Sequence, residues 1–223
     1  MEPSCRLFRT SSGLFVPYTF LLAACLLLSG IASAAPSITL SKKSGPPTSR
    51  ILVSGSGFEP NVGVDIFFDT KDKALVVTNG RGEFHDATIY APRSAHPGEH
   101  WVTALERNND KGAQKPFLVR TNRNQFHFSP DLDGLNPYEN VLSPHTASAL
   151  GLKWSFPTHY YVYSPPAVVR GVVYIASVDA VHALDATTGT ELCVFPTNGR
   201  VLDPAAVSNG RVFVGAELGD LMR

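Results

Sequence analysis

The chain has 223 residues, enough for one or two domains. Its 19 basic and 19 acidic side chains cancel, which removes the electrostatic case for nucleic acid or an anionic membrane surface as a partner. Eighteen Gly and 17 Pro beside many Val, Thr, Phe and Tyr predict an all-β chain rich in turns.

The first 34 residues read as a secretory signal peptide. Arg6 and Arg9 supply the basic start and residues 14–31 the apolar run. Ala32-Ser33-Ala34 supplies the small residues that precede cleavage, here before Ala35. A membrane anchor is the competing reading of so apolar a run, but Pro17 and the A-x-A end argue against it. Leu22-Ala23-Ala24-Cys25 also has the form of a bacterial lipobox, which would leave Cys25 as a lipid anchor. Leu26-Leu27-Leu28 would then open the mature protein, which speaks for ordinary cleavage. Export to the periplasm, the cell surface or the medium is the expectation, with no membrane span left once the signal is removed. Cys5 and Cys25 leave with it, so Cys193 is the one cysteine of the mature chain and an intrachain disulfide is not available.

Residues 36–122 show strand-like runs at 37–41, 50–55, 62–68, 74–78, 83–90, 100–106 and 116–121. Val64, Ile66 and Phe68 alternate with Asp65, Phe67 and Asp69, and Trp101, Thr103 and Leu105 alternate with Val102 and Ala104. Trp101 is expected to be buried. Turn formers separate the runs, among them Glu59-Pro60-Asn61, Asn79-Gly80-Arg81-Gly82 and His96-Pro97-Gly98. Seven short strands in one small segment suit a β-sandwich. The succession Ser54-Gly55-Ser56-Gly57-Phe58-Glu59-Pro60, Asn79-Gly80-Arg81-Gly82-Glu83-Phe84 and Pro97-Gly98-Glu99-His100-Trp101-Val102-Thr103-Ala104 resembles the bacterial Ig-like repeats of exported proteins. That resemblance implies an Ig-like spacer or adhesion module with no catalytic residues and no cysteine pair.

Residues 123–150 are polar and irregular, with Pro130, Pro137 and Pro144, and read as a linker. Asp131-Leu132-Asp133-Gly134 opens like a calcium loop. Leu135 stands where a third ligand is needed and the twelfth position is not acidic, so no metal site is expected.

Residues 151–223 repeat themselves at a lag of 39, with nine identities between 152–184 and 191–223. Phe156, Pro157, Thr158, Val162, Pro165, Ala167, Val168, Gly171 and Val173 recur as Phe195, Pro196, Thr197, Val201, Pro204, Ala206, Val207, Gly210 and Val212. A period near 40 residues with short apolar strands and Gly turns is the signature of a β-propeller blade. The first copy reads as strands at 166–169, 172–177, 181–184 and 191–195; the second offers 205–208, 212–216 and the start of a third at Leu221. Asp185 is expected to accept backbone N–H bonds in the turn that Gly189 closes at positive φ, and Gly171 and Gly210 to form the hairpin turns.

Ser164-Pro165-Pro166-Ala167-Val168-Val169-Arg170-Gly171-Val172-Val173-Tyr174-Ile175 with Ala183-Leu184-Asp185-Ala186-Thr187-Thr188-Gly189 resembles the pyrroloquinoline-quinone-like (PQQ-like) propeller repeat. The resemblance implies a Trp in the last strand of each blade, docked against the next blade. Trp154 fills that place ahead of the first copy, and Cys193, a smaller apolar filler, replaces it in the next. Tyr174 and Phe213, equivalent at the repeat lag, are expected to pack between blades. Two blades do not close a ring, so the expected fold is an Ig-like sandwich followed by an incomplete propeller, a partial version of a longer protein.

Catalytic chemistry finds little purchase. The seven histidines are scattered, and Pro97-Gly98 breaks any helix that would align His96 with His100. Ser164 and Ser177 have no His or Asp partner that sequence reveals. Glu191 and Asp203 read as loop or strand-end charges. Tyr160-Tyr161-Val162-Tyr163 reads as interblade packing, with a sugar- or base-stacking platform as the alternative. No catalytic, cofactor-binding or metal residue is assigned, and PQQ itself is relevant only to a longer protein. The expectation is a non-catalytic exported protein whose propeller binds or scaffolds another protein. The alternatives are the N-terminal part of a quinone-dependent dehydrogenase and a carbohydrate-binding surface protein using Trp101.

Overall fold

The computed structural model describes residues 35–131, 133–197 and 199–218. The segment read as a signal peptide, Cys25 and the expected strand start at Leu221 fall outside them. The described chain is all-β: sixteen strands and a single 3-10 turn at Ala147–Ala149. No described helix is long and apolar enough to cross a membrane.

The first eight strands are β1 (Ser37–Leu40), β2 (Ser44–Gly45), β3 (Arg50–Ser56), β4 (Gly63–Phe68), β5 (Lys71–Val77), β6 (Phe84–Tyr90), β7 (Gly98–Glu106) and β8 (Gly112–Val119). They form two sheets, in the orders β1-β3-β6 and β2-β8-β7-β4-β5. One face of each sheet contributes to a common core. Ile38, Ile51, Val53 and Ile89 come from the first sheet, and Val64, Ile66, Phe68, Val102, Ala104, Phe117 and Val119 from the second. The strict alternation of β4 produces this directly, because successive side chains of a strand point to opposite faces. Each large side chain so buried stabilises the fold by roughly 1.5–3 kcal/mol.

Three departures from the sequence expectation have clear causes. Trp101 is not buried. Val102, Ala104 and Glu106 share the inward phase of β7, so Trp101 falls on the outer face, opposite Pro116, with 41% of its surface exposed. Strand β8 begins at Gly112, four residues before the expected start. Ala113, Gln114 and Lys115 pair with Ala104, Thr103 and Val102 although they carry no apolar alternation. Strand β5 begins at Lys71, because Asp69 takes a left-handed conformation (φ 53°) and turns the chain tightly after Phe68.

The remaining strands are β9 (Ala167–Val169), β10 (Val172–Ala176), β11 (Ala180–Asp185), β12 (Glu191–Pro196), β13 (Gly199–Val201), β14 (Ala206–Ser208), β15 (Arg211–Phe213) and β16 (Ala216–Leu218). The first four make an antiparallel sheet in the order β12-β11-β10-β9, and β14 with β15 and β13 with β16 form two-stranded sheets. The sequence repeat is also a structural repeat. In β9–β10 the partners are Ala167 with Tyr174, Val168 with Val173 and Val169 with Val172. In β14–β15 they are Ala206 with Phe213, Val207 with Val212 and Ser208 with Arg211, each one lag further on. Both hairpins turn through two residues at positive φ, Arg170-Gly171 (54° and 80°) and Asn209-Gly210 (49° and 74°). This is the turn whose twist matches that of paired strands, and it requires left-handed backbone at both positions.

Residues 122–124 are hydrogen-bonded to both hairpins. Arg123 exchanges two 2.8 Å backbone bonds with Val168, the Val207 N–H donates to the Asn124 carbonyl (2.8 Å), and the Arg170 N–H donates to Asn122 Oδ1 (3.0 Å). Further along, the Asn140 amide donates to the carbonyls of Arg93 and Ala95 at 3.0 and 2.8 Å. The stretch read as a linker is thus tied to strands at several points. Asp133 Oδ1 accepts the Leu135 N–H and the Ser129 hydroxyl, a local turn.

Candidate functional site

Two constellations in the repeat region bring together residues that lie apart in sequence. The first is the seat of Trp154. Its half-buried indole donates to the Ala186 carbonyl at 3.1 Å. Its ring lies on Gly189, so close that a Cβ there would sit 2.6–2.9 Å from three ring atoms. The turn beneath is rigid for a local reason. Asp185 Oδ1 accepts the N–H groups of Thr187 (2.8 Å) and Thr188 (2.9 Å), and Gly189 takes φ 75°. The Thr188 and Thr187 N–H bonds hold the Asp185 carboxyl below its ordinary value.

The faces of the two repeats meet further along. Tyr174, Ala183 and Cys193 lie abreast on one face of the four-stranded sheet, with Val181 and Phe195 in the next row. Together with Val212 and Val214 of the second repeat they line an apolar groove of about 250 Å³. Ala176 and Val181 pack with Val201 and Val214 into a small core at one side of it. Backbone bonds from Thr197 to Asp179 (2.8 Å) and from Val201 to Val178 (3.2 Å) sew the repeats together. Phe213, the counterpart of Tyr174, is 54% exposed, and Tyr160, Tyr161 and Tyr163 are exposed instead of packed between strands.

The second constellation is one that sequence reading missed. Ser177 Oγ lies 3.3 Å from His182 Nε2, and His182 Nδ1 lies 2.7 Å from Glu191 Oε1. This is the connectivity of a Ser-His-acid triad. Two facts assign it to packing. Ser177 is fully buried, and its hydroxyl donates to Asp179 at 2.8 Å, so no acyl group reaches the oxygen and its proton is already committed. The chain of bonds joins the end of β10 to β11 and to the first residue of β12. His182 and Glu191 meet because a bulge between Ala183 and Leu184 shifts the register there.

No protein-family model, curated protein or solved structure matches this chain. Among the described residues no three His, Cys, Asp or Glu side chains come close enough to hold a metal ion. His100 does not join His96 as a ligand pair: its ring bonds Asp69 Oδ2 (2.7 Å) and the His96 carbonyl (2.8 Å). Glu106 is buried, with Oε1 accepting the Glu59 N–H at 2.6 Å and Oε2 unpartnered. It fastens the loop after Phe58 to the end of the two sheets. The Ser164 hydroxyl is also buried without a partner, beside the start of β9.

Proposed function

We propose that this is an exported, non-catalytic protein in which PQQ-like repeats form an interaction or scaffolding surface and an Ig-like sandwich acts as spacer or adhesion module. The observation that carries the reading is the repeated hairpin. β9–β10 and β14–β15 share register, turn and lag, and the two repeats meet through apolar side chains. Stacked repeats of this kind present extended faces that suit protein partners. The two facing sheets of the N-terminal half, with no cysteine pair, support the Ig-like assignment. The burial of Ser177 supports a structural role for its triad-like partners. Export rests on the N-terminal pattern, and a protein partner on the exposed aromatic side chains Tyr160, Tyr161, Tyr163 and Phe213.

A photo-cross-linking residue placed at Phe213 in cells tests the reading. Adducts heavier than one chain are expected from the exported fraction, with the mature chain starting at Ala35, and none from the same residue placed at Arg81 in an exposed turn. Absence of adducts at Phe213, or equal labelling at both sites, contradicts it.

A second reading has one observation in its favour. Trp101 lies exposed on a sheet face with Pro116, Thr103 and Gln114 on the same side, an arrangement that suits stacking on a sugar ring. Titration with neutral oligosaccharides, followed by tryptophan emission, tests it. A saturable change lost in Trp101→Ala supports it, and no change removes it.

A further inference from the structure

Residues 136–142 form a wall against the end of the sandwich. Asn136 Oδ1 accepts the Tyr138 N–H at 3.1 Å and the Asn136 carbonyl accepts the Glu139 N–H at 3.2 Å, a tight local turn. Glu139 Oε1 then accepts the N–H groups of Val141 (2.9 Å) and Leu142 (2.8 Å). The bonds from Leu142 and Val141 hold the Glu139 carboxyl below its ordinary value, so it is ionised at neutral pH. The Asn140 amide and a 3.3 Å bond from Arg93 to the Pro137 carbonyl fasten this turn to the loop between β6 and β7. The facing wall carries Arg120, directly after β8. Its N–H donates to the Gly45 carbonyl (2.9 Å) and its guanidinium to Ser44 Oγ (3.1 Å). Arg120 is half-buried and forms no ion pair among the described residues.

Both charges line one pocket of about 270 Å³, together with Pro47, Pro97, Val119 and Tyr138. Arg120 and Glu139 share it without pairing, each tethered to its own wall. The rest of the guanidinium fork retains donors, and Glu139 Oε2, which receives a 3.4 Å bond from the Asn136 amide, retains acceptor capacity. Two opposite charges held apart in one small pocket suit a ligand that carries both.

We propose that this pocket binds a free amino acid with an apolar side chain. Arg120 would take the carboxylate through two parallel N–H bonds, the geometry that its planar fork favours. Glu139 Oε2 would accept a bond from the ammonium group. The rings of Pro47, Pro97 and Tyr138 would flank the side chain. A ligand with one charge fits worse, since an anion meets the Glu139 carboxylate and a cation meets Arg120. The volume sets an upper limit on size, because pockets for drug-sized ligands begin at about 300 Å³. The inference is independent of the repeat and scaffolding readings, since every residue it uses precedes the repeats.

Isothermal titration calorimetry of the purified protein with L-valine, L-leucine and L-phenylalanine provides the test. At least one is expected to bind saturably, with a dissociation constant of about 1 mM or tighter. The matched acid and amine of the tightest binder, 4-methylpentanoate and 3-methylbutylamine for leucine, are each expected to bind at least roughly tenfold more weakly, as loss of a charge-assisted hydrogen bond implies. Arg120→Gln and Glu139→Gln are expected to show the same loss. Glu139→Gln keeps an acceptor for the Val141 and Leu142 N–H groups, and circular dichroism checks that both variants fold. A readout that needs no variant is nuclear magnetic resonance of the wild type. The Arg120 side-chain N–H and the Val141 and Leu142 amides are expected to shift along one binding curve. Absence of saturable binding, an acid or amine that binds as well as the amino acid, or a folded variant that binds like wild type overturns the proposal. So does binding that leaves those three signals unmoved.

Discussion

Replacing Gly189 by Ala strikes the contact between Trp154 and the turn ahead of β12 in two separable ways. The backbone there has φ 75°, a conformation that costs an L residue about 1 kcal/mol relative to Gly. The new methyl would also lie 2.6–2.9 Å from the Trp154 ring, and forcing a ring aside in a packed site costs about 1–3 kcal/mol more. The expected loss is therefore about 2–4 kcal/mol in all, as the sum of those two effects. In a Trp154→Ala background the ring is gone and only the backbone cost of about 1 kcal/mol remains. The double-mutant cycle should thus return a coupling of about 1–3 kcal/mol. Trp154→Phe separates out the hydrogen bond to Ala186, worth about 1 kcal/mol. Urea unfolding followed by far-ultraviolet circular dichroism measures all of these, and it remains usable when one of the two tryptophans is removed. Equal cost of Gly189→Ala in both backgrounds would refute the placement of the ring.

Three further predictions concern other parts of the fold. Glu106→Ala strands the Glu59 N–H and opens a gap at the end of the two sheets, and should cost about 2–4 kcal/mol. Glu106→Gln keeps an acceptor and should cost clearly less in the same urea assay. Arg170→Asn places in the first hairpin the residue that the second carries as Asn209. It should stabilise by about 0.5–1 kcal/mol, because Asn tolerates left-handed backbone better than Arg; no shift in the urea midpoint would count against the turn assignment. The third prediction is a pH dependence from His100 and Asp69. Burial pulls His100 down, but the hydrogen bond to Asp69, the His96 carbonyl and the Asp69 charge outweigh it and hold the imidazole above its ordinary 6.5. Burial likewise opposes ionisation of Asp69, yet the bonds from His100 and the Trp101 N–H hold it below its ordinary 3.8. The His100 contribution is therefore complete below pH 6.5 and is lost as pH rises through the raised value. The Asp69 contribution is present above 3.8 and is lost as pH falls through the lowered one. Urea midpoints from mildly acidic to alkaline pH should decline for wild type and decline less for His100→Gln; parallel declines would sink the assignment.

Strands such as β4 were legible because their alternation is written in side chains: Val64, Ile66 and Phe68 go in and their neighbours out. The hairpins of the repeat were legible for a different reason, since two copies of the same turn chemistry supported each other at a fixed lag. Trp101 was misread because an aromatic residue in an alternating strand is compatible with either face, and what decides the phase is its neighbours Val102 and Ala104 together with the buried Glu106. A carboxyl in a core position carries no sequence signal of burial, because its partner is the backbone N–H of Glu59, 47 residues away. The Ser177–His182–Glu191 chain was invisible for a similar reason. Its geometry depends on a bulge between Ala183 and Leu184, and nothing in the residue types there marks one.

The two repeats meet face to face, and the methyl groups at that contact report it directly. In a methyl-labelled sample, nuclear Overhauser effects are predicted from Val181 to both Val201 and Val214. Their presence would place the second repeat on the face that carries Tyr174 and Cys193. Their absence, with the β9–β10 and β14–β15 cross-strand effects intact, would leave two repeated hairpins that do not stack and would contradict the account.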